Sequence, residues 1–281
     1  MTSTTLPVAP TGSARPTHSP GFTDLLRSEW SKFRTLRSTW WSLAAVLAVS
    51  LGVSITATAI FTSNYRSHGL DAENMKNFRD DTISLFLQPG SQFGQLAVGV
   101  LGVLVIASEF STGMIRATML AVPRRTSVIL AKAAVLAGVV FLLSEVIAWA
   151  CFFIDGAIVR DQVSVTLGTP HTLRALFGFG AVMAMTALIS LSIGALLRHT
   201  AGAISIALGT ILVLPALVSF VPGSAGMHLQ YALPSQAGIL IMDRTPPLDM
   251  PYAPWTGFGI IALWTVGLML LALWSIKKRD V

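Results

Sequence analysis

The chain has 281 residues, of which 53% are hydrophobic and only 11% charged. An ordinary soluble domain carries about 25% charged residues, so a typical cytosolic enzyme and a disordered chain are both excluded. A single cysteine, Cys151, excludes a disulfide framework and a cysteine-based zinc site. The net charge of +6 is dispersed between apolar runs instead of gathered on one face, so no nucleic-acid partner is expected.

Residues 1–21 are rich in Thr, Ser, Pro and Gly, with one base, Arg15. They carry no signal-peptide pattern and read as a disordered tail. Residues 22–40 read as an amphipathic helix. At 100° per residue, Phe22, Leu25, Leu26, Trp30, Phe33, Leu36 and Trp40 share an arc of roughly 140°, flanked by Arg27, Arg34 and Arg37, with Glu29 the exception inside the apolar face. One reading lays this helix in the plane of the membrane, with Phe22, Trp30, Phe33, Trp40 and Trp41 in contact with lipid at the interface. The other packs it on the protein's own surface.

Six apolar runs follow, at 41–62, 92–108, 133–154, 175–197, 200–221 and 255–276. They meet the requirement of about 20 residues for a membrane-crossing helix and are too long for barrel strands. The fold class expected is therefore an all-α membrane protein, with six transmembrane helices preceded by an amphipathic in-plane helix. The second run is charge-free from Thr82, but Pro89-Gly90 interrupts it, so its helix starts on one side or the other of that pair. Pro215 is expected to kink the fifth.

With the N-terminus in the cytoplasm, 13 of the 19 Lys and Arg residues fall on the cytoplasmic side and six outside. The positive-inside rule thus places both termini in the cytoplasm, with 109–132 as a cytoplasmic loop and 277–281 as a basic cytoplasmic end. Outside, residues 63–91 read as a surface loop with a short helix near Asp71 to Phe78. Within the proline-rich stretch 222–254, the apolar piece Ala237 to Met242 either dips into the membrane or caps the outer mouth.

Glu145 lies about 2 Å along the helix axis from the midpoint of the third run. A charge there costs on the order of 3 kcal/mol even on the lenient insertion scale, so the residue should face the bundle or a wet cavity. It serves either as a substrate or proton contact or as interhelical glue worth about 1 kcal/mol. The histidines form no ligand cluster, so no metal and no other cofactor are expected, and no catalytic constellation appears. Gly99, Gly102, Ala181, Ala184, Ala187, Ser190 and Gly194 mark close helix contacts, within one bundle or at a dimer seam.

Four short motifs in order carry a resemblance. They are Leu26-Arg27-Ser28-Glu29-Trp30-x-Lys32; Glu109-Phe110-x-x-Gly113-x-Ile115-Arg116 followed by Pro123-x-Arg125 and Ala131-Lys132; Leu196-Leu197-Arg198-x-Thr200-Ala201-Gly202; and Tyr231-x-Leu233-Pro234-x-x-Ala237-Gly238. On a six-span frame this pattern resembles the permeases of ABC-2 type transporters over roughly residues 22–281. The resemblance implies an elbow helix at 22–40 and a plasma-membrane permease of an ATP-driven exporter. It also implies a separate ABC ATPase subunit and a second permease subunit, in a homodimer or heterodimer. It further implies that Glu109, Gly113, Arg116, Pro123 and Arg125 belong to the loop that rests on the ATPase, and that the piece at 237–242 is re-entrant. The sequence contains no Gly-x-x-x-x-Gly-Lys-Ser/Thr, so ATP must be bound elsewhere and the chain is not expected to be an enzyme. Two other functions compete: a proton-coupled secondary transporter using Glu145, and a membrane scaffold without transport.

Overall fold

A computed structural model describes residues 21–68, 78, 81–115, 125–163, 165–243 and 250–278. The tail at 1–20 and the short helix expected near 71–78, Phe78 apart, lie outside the described residues. Among those described there is no strand; the elements in chain order are α1 (Phe22–Thr35), α2 (Arg37–His68), α3 (Thr82–Ser111), α4 (Arg125–Val159) and α5 (Thr172–Leu197). Then come α6 (Thr200–Leu208), a π-turn (Gly209–Val213), α7 (Leu214–Val218), α8 (Gly223–Tyr231), α9 (Pro234–Ile239) with a 3-10 turn (Leu240–Met242), and α10 (Pro254–Lys278). Among the described residues, six helical segments are long and apolar enough to cross a membrane: α2, α3, α4, α5, α6 through α7, and α10. The chain is an all-α membrane protein.

These helices outrun the apolar windows in the sequence. With 32, 30 and 35 residues, α2, α3 and α4 exceed the roughly 20 residues that cross the hydrocarbon, because polar residues at their ends do not stop a helix. The second span starts at Thr82, before Pro89, which sits inside the helix. Ile83, Phe86 and Leu87 are buried there, so packing holds the turn that the proline weakens. In the fifth span the strain ahead of Pro215 is taken up by the π-turn, where Leu214 donates to the Gly209 carbonyl five residues back.

Helix α5 is the core: 78% of its most apolar stretch is buried, against 28% for α2, the fifth span and α10. It packs on α3, α4 and α10, and α3 packs also on α2. Small residues permit this. A Cβ at Gly102 would fall 2.5 Å from the Ala187 carbonyl oxygen, and one at Gly194 would fall 2.7 Å from an Ile106 methyl. Gly102, Ala187, Ser190 and Gly194 are therefore occupied inside one bundle. The stretch from Pro234 to Met242 tucks against α5 and α10, with Ala237, Leu240, Ile241 and Met242 buried.

The expected helix at 22–40 is broken at Leu36, whose extended backbone (φ −80°, ψ 115°) ends α1; residues 37–40 belong to α2. The boundary set from the apolar arc was too long because a continuous arc does not register a one-residue break. Helix α1 packs on α4 through Leu25, which meets Val128 and Ala131.

Candidate functional site

The anomaly in the α1 face has a partner. Glu29 is buried, as are Glu109 at the end of α3 and Lys132 in the second turn of α4. Lys132 Nζ lies 2.5 Å from Glu29 Oε2 and 2.8 Å from Glu109 Oε1; Lys32 Nζ lies 2.6 Å from Glu29 Oε1 and 3.2 Å from Glu109 Oε1. Two carboxylates and two ammonium groups thus alternate in a closed ring of zero formal charge that ties α1 to the ends of two spans. Burial on its own lowers the Lys32 ammonium, but its hydrogen bonds and charge interactions with Glu29 and Glu109 outweigh that and hold it above its ordinary value.

Glu109, which the resemblance puts in the loop that rests on the ATPase, has a side chain only 7% exposed because it closes the ring. This placement corrects one expectation. Phe33, expected at the lipid interface, is packed into the bundle because it shares the inward face of α1 with Leu25 and Glu29. Phe22, Trp30, Trp40 and Trp41 are exposed, and the Trp40 indole donates to the Arg34 carbonyl at 3.0 Å.

Beyond Glu109 the chain turns at Gly113, whose φ of +71° is a conformation that side chains disfavour. Ile115 then packs into the core. Arg116 and Pro123 lie outside the described residues, and Arg125 is described only by its backbone, as the first residue of α4. On the same end of the bundle, Arg198 caps α5 in the left-handed region and stacks over Phe110, 5.4 Å from the ring centroid.

Inside the bundle, Glu145 faces α5. A Cβ at Gly180 would lie 3.0 Å from the Glu145 carboxyl carbon, and neither carboxyl oxygen meets solvent or has a full hydrogen bond among the described residues. A second carboxyl group was missed. Asp155 falls one residue beyond the apolar run, yet α4 continues to Val159 and buries it completely. The Ser54 hydroxyl lies 2.6 Å from Asp155 Oδ2 and also contacts the Phe86 carbonyl, joining α2, α3 and α4. The sequence signal was its neighbour pattern: one acid framed by Phe152, Phe153, Ile154 and Ala157.

At the opposite end from the termini, Asp243 is buried at the end of the tucked stretch. Gln88 donates to its carboxylate and Arg174 to its backbone carbonyl. Burial, and then the nearby charge of Asp81, push the Asp243 carboxyl up to about 7, opposed by Arg174 and Gln88. Among the described residues no group of three His, Cys, Asp or Glu side chains could hold a metal ion.

The geometry is that of a six-span bundle with a charged anchor at the end bearing the termini and polar contacts between its helices. No curated protein matches the chain. A family model described as ABC-2 family transporter protein matches residues 25–216, which takes in α1, the charge ring, both carboxyl groups inside the bundle and the first five spans through Pro215. The chain therefore belongs to the ABC-2 family of transporters, as a multi-pass membrane permease.

Proposed function

We propose that the chain is the permease subunit of an ATP-driven exporter in the plasma membrane, with both termini in the cytoplasm. Two copies, or this chain and a similar one, line the path, and a separate ABC ATPase docks on the segment from Gly113 to Arg125. The observation that carries the reading is the family match over 25–216 in a chain that has no phosphate-binding Gly-x-x-x-x-Gly-Lys-Ser/Thr. The excess of Lys and Arg on one side supports the orientation.

The charge ring suits the proposal mechanically. A docked ATPase that pushes on the segment after Gly113 pushes on Glu109, four residues earlier, and Glu109 is bonded to both α1 and α4. Movement at the loop is then shared by three helices. In this reading Glu109 anchors the loop, while Arg116, Pro123 and Arg125 make the outward contact, the guanidinium of Arg116 gripping carbonyl or carboxylate groups of the partner. Helix α1, with Phe22 and Trp30 exposed, lies along the membrane surface as an elbow.

The test is co-purification. Arg116→Glu should leave insertion and abundance near those of the unmodified chain while an ABC ATPase co-purifies at least tenfold less well, because reversing one charge at a desolvated contact costs several kcal/mol. Full ATPase recovery and full transport with Arg116→Glu would remove the contact from this segment. Proton-driven transport by the permease alone in liposomes would favour a secondary transporter instead.

A further inference from the structure

Every fourth residue along the inward face of α2 carries a hydroxyl: Ser50, Ser54, Thr58 and Thr62, all of them buried. Such groups commonly bond back to their own helix, as Thr62 does to the Thr58 carbonyl at 2.8 Å. Ser54 instead reaches across to two other helices. Gly90 lets α3 come close to α2, since a Cβ there would fall 2.7 Å from the Ser50 carbonyl oxygen. The Ser54 hydroxyl then meets the Phe86 carbonyl of α3 on one side and Asp155 Oδ2 of α4, at 2.6 Å, on the other.

The hydrogens available at this junction fix the state of Asp155. A hydroxyl donates one hydrogen and a carbonyl none, yet Ser54 Oγ touches two oxygens. Were Asp155 ionised, one of those two contacts would set lone pairs against lone pairs. With a proton on Oδ2 both become hydrogen bonds: Asp155 donates to Ser54 Oγ, and Ser54 donates to the Phe86 carbonyl. The surroundings agree. Asp155 is fully buried, and among the described residues no ion pair reaches it. Arg66 and Asp161, at the outer end of α2 and just past α4, pair with each other at 3.4 Å and are exposed. Asp155 Oδ1 has no hydrogen-bond partner among the described residues, a smaller cost for a neutral acid than for a carboxylate. The titratable group beside it on its own helix is the buried Cys151 thiol, one turn earlier. From α2 and α3 it is met by hydroxyl and carbonyl groups.

We propose that Asp155 is a proton-binding site, whose proton closes a hydrogen-bond chain through Ser54 to the Phe86 carbonyl and so clamps α4, α2 and α3 together. When the proton leaves to water, Ser54 has one hydrogen for two acceptors. The carboxylate takes it, because a charged acceptor makes the stronger bond, and the link from α2 to α3 is released. The part of α3 set free is the stretch leading into Pro89, a turn that the proline already weakens. Binding and release of one proton thus switch a contact between three spans. The site is separate from Glu145, which faces α5, and needs neither the ATPase nor a cargo.

The experiment records infrared spectra of the purified full chain in lipid nanodiscs, first at neutral pH and then at rising pH. The difference between the unmodified chain and Asp155→Asn should contain the C=O stretch of a neutral carboxyl group. Ser54→Ala keeps Asp155 but removes the acceptor of its proton, and should move that band to higher frequency. Once alkali has abolished the band, amide hydrogen exchange over residues 82–90, corrected for its intrinsic pH dependence, should quicken about fivefold, the factor that one hydrogen bond supplies. In Asp155→Asn, whose amide donates to Ser54 at every pH, that exchange should stay constant. Carboxylate bands in place of the neutral band at neutral pH overturn the proposal. So does a band that Ser54→Ala leaves unmoved, one that survives until the chain unfolds, or exchange over 82–90 that responds to pH equally in both chains. The comparison with Ser54→Ala reads the band without altering Asp155, so the test stands even if Asp155→Asn fails to fold. None of these results bears on ATPase co-purification, so the two readings fall separately.

Discussion

Removing Glu29 from the charge ring is the perturbation whose size the structure sets most directly. Glu29→Leu deletes the contacts at 2.5 Å to Lys132 and 2.6 Å to Lys32. One carboxylate, Glu109, then serves two ammonium groups, and Lys132 cannot recruit water because only 4% of its side chain is exposed. Breaking a buried ion pair on one side costs about 3–5 kcal/mol, much of it the stranded charge. Lys132→Met strands the carboxylates instead and should cost a similar amount. Glu29→Leu combined with Lys132→Met leaves the Lys32–Glu109 pair, restores zero net charge and should recover most of the loss, since matched apolar replacements of buried pairs are often neutral. Thermal unfolding in one detergent should show each single variant lowered by on the order of 10 °C, with the double variant well above the sum of the two. The effect should persist in high salt, because buried pairs are screened far less than exposed ones. Single variants within about 1 kcal/mol of the unmodified chain, or strict additivity in the double, would refute the ring as an anchor.

Gly102→Leu should abolish folding or lower stability by about 1–3 kcal/mol or more, since even a Cβ there would meet the Ala187 carbonyl at 2.5 Å; expression with a folded-state fluorescence assay reads this. Glu145→Gln should keep expression, whereas Glu145→Lys should misfold because α5 at Gly180 leaves no room for a longer cation. Gly180→Ala, which thrusts a methyl group at the Glu145 carboxyl, should destabilise the chain much more than it does in the Glu145→Ala background. For Asp243, pushed up to about 7 by burial and by Asp81, the folded chain holds the proton more tightly than the unfolded one. Stability should therefore fall as pH rises through about 4 to 7 and level off above, and Asp243→Asn should flatten that slope in a melting series.

Much of the fold was legible because a membrane forces helices to be apolar for most of their length. The boundaries were less so. Asp155 sits just past the end of its hydropathy window, and Lys132 and Arg174 just before the start of theirs, on helices that run further both ways, since a window registers solvent cost and not the hydrogen bonds that keep a helix going. The charge ring shows the same limit. Glu29 stood out within an apolar arc and Lys132 stood out at the opening of a span, but nothing along the chain shows that residues 103 positions apart meet at 2.5 Å. Only the packing of α1 on α4 makes them partners. Phe33 was misassigned for a related reason: an amphipathic arc shows that a helix has an apolar face, and the neighbours decide whether that face meets lipid or protein.

The central claim is that an ABC ATPase sits on the segment after Gly113. A photo-reactive phenylalanine analogue placed at position 116 of the full chain, illuminated in native membranes and analysed by mass spectrometry, tests it at the contact itself. The account predicts a covalent adduct between this chain and a protein bearing Gly-x-x-x-x-Gly-Lys-Ser/Thr, and no such adduct when the analogue replaces Phe220, exposed at the other end of the bundle. Adducts with that ATPase from position 220 but not from 116, or with no ATPase from either, would contradict it.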